Sequence, residues 1–148
     1  TTGNGVYIPG HVIQVVNNLK TPQSITTSSN SFATTGHSLS ITPNSSSSKI
    51  FLLLAGGGHY LPQGTAMAVV TIYRDSTNIG HATHGLESVY TVGTTGFSVT
   101  GHSLSFVDSP STTSAITYTT YMKTANGTYQ YHLGDRGSLN FTAMEIAQ

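Results

Sequence analysis

His81 and His84, three residues apart, are the pair in this sequence whose type and spacing first suggest a metal ion. Two imidazoles are too few for a site by themselves, although a threefold axis would multiply them to six. In an extended strand an i, i+3 pair points to opposite faces, so these rings converge only if the segment turns. The same segment, Gly80 to Gly96, and two others, Gly56 to Gly64 and Thr124 to Gly137, also hold His59, Tyr60, Tyr90, Tyr129, Tyr131, His132, Asp135 and Arg136. Tyr and His offer a flat apolar ring with a polar edge, which suits stacking and hydrogen bonding on a sugar. These ten residues are the candidate ligand contacts. No cofactor is expected, and no metal site beyond the incomplete His81 and His84 pair. Tyr129 and Tyr131 have a second reading, as alternate positions of a half-buried strand with Gln130 and His132 opposite. Asp135 and Arg136 read either as an ion pair of small net worth or as a grip on a polar receptor group.

Catalytic chemistry is harder to assemble. Glycosidic cleavage usually needs two carboxylates flanking the bond, and the only acids are Asp75, Glu87, Asp108, Asp135 and Glu145. Asp75, Asp108 and Glu145 sit in strand-rich stretches, which leaves Glu87 and Asp135 as the one pair in loops. There is no G-x-S-x-G elbow. The GNG and GGG stretches lack the Lys-Ser/Thr or helix that a phosphate loop requires. Cysteine is absent, so neither disulfides nor thiolate metal sites are available. The chain is expected not to be an enzyme.

The elements that must position these residues are strands. No window keeps the i, i+3, i+4 apolar pattern for three turns, whereas runs rich in Val, Ile, Thr, Tyr and Phe recur between Gly, Pro, Asn and Ser clusters. The expected strands are Val12–Val16, Ser24–Thr27, Ser38–Thr42, Lys49–Ala55, Ala66–Arg74, Thr100–Val107, Ala115–Lys123, Thr128–His132 and Leu139–Ile146. Nine short strands predict an all-β antiparallel sandwich or jelly roll. The hexapeptide TGHSLS occurs twice, at Thr35–Ser40 and Thr100–Ser105. Period-2 alternation predicts that both copies are half-buried strands with His37, Leu39, His102 and Leu104 inward and the serines outward. Phe97 and Val99 lie out of phase with Leu104 and Phe106, which predicts a bulge near Gly101. The stretches KIFLLLA and AMAVVTIY are apolar on both faces. A two-layer sandwich buries one face of each, so other copies of the chain are expected to cover the second.

At 148 residues one domain is expected, with residues 1–10 the end of a preceding shaft or linker. The chain starts at Thr1, as an excised fragment or processed product would. Five basic and five acidic side chains make only 7% of residues charged, where roughly a quarter is usual. Ser, Thr, Asn and Gln must keep the surface wet instead. That composition lacks the basic stripe of a nucleic-acid binder. No apolar run approaches the 18 or so residues of a spanning helix, so no membrane insertion is expected.

Four stretches, SITPNSSSSKIFLLL, AVVTIYRDSTNIG, SFVDSPSTTSAITYTTYMK and GSLNFTAMEIAQ, carry a resemblance. Together they resemble the carboxy-terminal receptor-binding domain of bacteriophage tail fibres and related phage-derived trimeric adhesins. The resemblance implies a homotrimeric, extracellular fibre tip, on a virion or a bacterial surface, that binds a cell-envelope glycan or other receptor without catalysis. A structural trimerisation or connector module of a fibre is the alternative, and a glycan-cleaving appendage domain a further one. The strand spacing is also similar, more loosely, to the trimeric jelly rolls of the tumour necrosis factor and complement-head class. Some phage fibres hold iron through His-x-His pairs on the trimer axis; His81 and His84 depart from that spacing.

Overall fold

The computed structural model describes residues 8–20, 24–132 and 137–148, so Asp135, Arg136 and most of segment 1–10 lie outside the described residues. Eleven strands are found there: β1 Val12–Lys20, β2 Ser24–Thr27, β3 Ala33–Ile41, β4 Lys49–Leu61, β5 Gly64–Arg74, β6 Thr77–Asn78, β7 Glu87–Thr94, β8 Ser98–Asp108, β9 Ile116–Thr124, β10 Tyr129–His132 and β11 Leu139–Ile146. Every strand pairing is antiparallel. In the first sheet β4 is long enough for β11 to pair with one half of its edge and β10 with the other, while β8 pairs along its opposite edge. Outside β11 and β10 lie β1 and β2. The second sheet runs β3, β9, β5, then β6 and β7 together. Two sheets of four positions each, between which the chain crosses at every step from β2 to β5 and again from β7 to β10, give a jelly-roll sandwich.

Alternation decides what lies between the sheets. Ile50, Leu52 and Leu54 of β4 meet Ala68, Val70 and Ile72 of β5, with Phe141, Tyr118 and Met122 filling the layer, all buried. Both TGHSLS copies are strands with the expected facing: Thr35, His37 and Leu39, and likewise His102 and Leu104, are buried, while Ser40, Ser103 and Ser105 are exposed. They occupy edge strands of the two different sheets, β3 and β8. His37 places Nε2 3.0 Å from the Asn18 carbonyl and stands edge-on to the Phe141 ring.

The bulge lies across the ladder from its expected place. Ala55 pairs with Ser103 and Gly58 with Gly101, so β4 inserts Gly56 and Gly57 opposite the single residue His102. Both glycines have positive φ, 97° and 64°. A Cβ on Gly56 would stand 1.9 Å from the Ser138 carbonyl oxygen, so no other residue fits. In β8 the phase never resets: Val99 and Phe97 simply face outward and are exposed.

Polar groups cross between the layers. At the end of β8, Asp108 accepts two 2.9 Å bonds from Arg74 Nη1 and one of 2.6 Å from the Tyr118 hydroxyl. Glu145 on β11 is wholly buried and accepts bonds from Gln14 Nε2 at 2.6 Å, the Asn44 backbone N–H at 2.7 Å and Asn44 Nδ2 at 2.8 Å. Three of the five acids, Asp75 included, are thus structural: Asp75 Oδ1 takes the Thr117 N–H at 2.9 Å.

The outer faces differ from each other. Val69 and Thr71, on the outward side of β5, are buried by their own chain. Segment 80–85 folds over them, with Gly80 against Thr71 and Gly85 against Val69. Other copies are therefore not needed at that place. On the first sheet the register aligns Val15, Met144, Phe51 and Val107 into one rung that crosses all four positions on the outward side. Val15 is 56% and Val107 52% exposed.

Candidate functional site

The bulge has a direct chemical result. Before it the even residues of β4 face the interior; after it the odd ones do, so His59 and Leu61 join Leu54 on the inward side. His59 there meets His102 from β8, Tyr129 and Tyr131 from β10, and Glu87 from β7 of the opposite sheet. His59 Nδ1 is 2.7 Å from the Tyr129 hydroxyl, and its Nε2 is 3.1 Å from His102 Nδ1 and 3.4 Å from Glu87 Oε1. Glu87 Oε2 stands against His102 Nδ1. The tyrosine rings wall the cluster: Tyr129 and Tyr131 both stack on His59, and Tyr131 meets His102 edge-on.

Both imidazoles are buried, at 1% and 3% exposure, and the Glu87 side chain keeps 21%. Burial alone would raise the Glu87 carboxyl, but His102 and His59 beside it outweigh that and hold it at about 2. Burial pushes the His102 imidazole down, with Glu87 opposing. Burial pushes both tyrosine hydroxyls well above their usual range. One nitrogen or oxygen from each of His59, Glu87 and His102 lies within 4.8 Å of the others, a donor set suited to a metal ion.

Three of the ten sequence candidates, His59, Tyr129 and Tyr131, lie inside the sandwich. Tyr129 and Tyr131 are fully buried, as the strand reading has it, and with His59 they belong to the interior instead of a receptor-facing loop. His132 ends β10, its backbone opposite Gly58 and Ser24. Segment 80–96 is only partly a loop: Glu87–Thr94 forms β7, with Val89 and Thr91 inward and Tyr90 outward. His81 and His84 sit on the exposed excursion 80–85, which turns enough to bring their rings to 5.1 Å. Their convergence has a local cause, because His81 Nδ1 accepts the Thr83 and His84 backbone N–H groups at 3.1 Å each. Tyr60 stacks on Phe97 at 5.1 Å, and Tyr90 is 58% exposed. The sequence reading missed Glu87 meeting His59 and His102; the triple glycine before His59, a bulge signal, was the clue to its facing.

No protein-family model matches the chain, and no curated protein matches it. Among solved structures the chain is similar to a protein of infectious bursal disease virus, Gt strain, at 13% identity and a TM-score of 0.47, over 93% of this chain and 39% of that one. A second structure, from an infectious bursal disease virus particle, gives 12% identity and a TM-score of 0.45 over 94% of this chain and 37% of that one. The chain spans less than half the length of either.

Proposed function

We propose that this domain is the non-catalytic, homotrimeric tip of an extracellular fibre that binds a cell-envelope glycan. The observation that carries the reading is the apolar rung Val15, Met144, Phe51 and Val107 on the outward face of the first sheet, which water would contact in a lone copy. Closed cyclic assembly covers such a face in every copy. The weakly charged, hydroxyl-rich surface and the exposed Tyr90, with Phe97 stacked beside Tyr60, supply what sugar recognition uses: flat rings and neutral hydrogen-bonding groups. His81 and His84 on the exposed excursion add polar edges of the same kind.

The test is a glycan array probed with the wild-type protein and with Tyr90→Ala, Phe97→Ala and His84→Ala. Retention of at least one glycan, weakened roughly fivefold by one of these exposed changes, is the expected result, since a stacked ring contributes on the order of 1 kcal/mol. Absence of glycan binding, or release of reducing ends from envelope polysaccharide, would overturn the reading.

A further inference from the structure

We propose that His59, Glu87 and His102 bind one first-row divalent transition-metal ion, Zn²⁺ foremost, and that the ion ties the two sheets of the sandwich together. The donors arrive from three strands, β4 and β8 in one sheet and β7 in the other. Bonds of about 2.0–2.2 Å to nitrogen and oxygen set neighbouring donor atoms roughly 3.0–3.6 Å apart. The His59 Nε2 to His102 Nδ1 and Glu87 Oε1 distances, 3.1 and 3.4 Å, are of that size. Two imidazoles and a carboxylate favour zinc, iron, cobalt or nickel over calcium and magnesium, which prefer all-oxygen shells.

The donor atoms that face one another, His59 Nε2, His102 Nδ1 and the Glu87 carboxylate, have each other as partners. Two imidazole nitrogens and a carboxylate edge converge on one point, and each neutral ring brings a single proton to share between its two nitrogens. A cation accepts all three lone pairs at once. The outer contact also fits: His59 Nδ1 is held at 2.7 Å by Tyr129, the kind of second partner that fixes a metal-binding imidazole's tautomer and orientation. Three protein donors leave a fourth position, on the side where Glu87 retains its exposure. The ion's site is distinct from His81 and His84, whose Nδ1 at His81 is engaged by backbone N–H groups.

Chelator-stripped protein titrated with Zn²⁺ by calorimetry, and with Co²⁺ by visible absorption, tests this. One ion per chain is expected, with the d–d bands of a four- or five-coordinate cobalt site and a thermal midpoint raised by roughly 5–10 °C at saturation. Glu87→Gln and His102→Gln should each weaken Co²⁺ binding at least about tenfold. A His81→Gln/His84→Gln double variant, altered only on the exposed excursion, should bind as wild type does and keep two cobalt-shifted imidazole N–H resonances. That last readout needs no change in the interior, so it decides the matter even if the interior variants do not fold. Wild-type protein that binds no ion, or binding lost in the His81/His84 variant alone, would overturn the proposal.

Discussion

Glu145 is buried completely, yet it remains a carboxylate because three N–H groups from Gln14 and Asn44 donate to it. Burial alone would raise its carboxyl, but the hydrogen bonds, led by that of Gln14, prevail and hold it below its ordinary 4.5. A carboxyl whose folded pKa is depressed stabilises the fold above its unfolded value and ceases to as pH falls through the folded one. The thermal midpoint of the wild-type protein should therefore decline below about pH 4.5, and Glu145→Gln should remove part of that decline. At pH 7 the same change should cost about 1–3 kcal/mol, because amide hydrogens would then face the Asn44 and Gln14 donors. Thermal scans from acid to neutral pH check both; an acid limb identical in the two proteins would refute the assignment.

At the scale of strands, the decisive feature is the one extra residue in β4, where Gly56 and Gly57 stand opposite His102 alone. Gly56→Ala asks a side chain to adopt φ 97° with its Cβ 1.9 Å from the Ser138 oxygen. The expected loss is about 3 kcal/mol or more, read from the urea midpoint. The inversion of facing that this bulge imposes also explains what could be read from the sequence alone. Where alternation runs unbroken, as in both TGHSLS copies, facing was legible, and His37 and His102 are buried as expected. Across GGGHYL the parity flips, so His59, placed by sequence in a recognition loop, lies inside. Glycines at 80, 85 and 96 flank strand β7 and Gly93 lies within it, which hides it as a loop although Glu87 to Val92 alternates. Even a correct strand list would not have brought Glu87 to His59 and His102, since local pattern fixes which way a side chain points but not which side chain of the facing sheet it meets.

For the whole molecule, the question is what covers the outward rung of the first sheet. Its two ends, Val15 on β1 and Val107 on β8, lie on opposite edge strands and are about half exposed, so polar substitutions there disturb association more than folding. Sedimentation equilibrium should find three copies in the wild-type assembly. Val15→Glu combined with Val107→Glu should give a single folded subunit with an unchanged far-ultraviolet dichroism spectrum. A wild-type protein that sediments as one subunit would remove the basis for assembly through this face. The outward side of β5 differs: Val69 and Thr71 are fully hidden from water there, and their cover belongs to the same chain.

That self-made cover has an engineering corollary. Ile79 and Leu86 donate their backbone N–H groups to Ile72 and Val70, so β6 and β7 behave as one strand interrupted by six residues hung from two fixed posts. Gly80 and Gly85 are pressed against β5 and its neighbours, whereas Ala82, Thr83 and His84 between them are exposed. Foreign peptides spliced between those two glycines would be displayed on a rigid frame, and natural variation in length and composition can accumulate at the same point while the sandwich beneath stays unchanged.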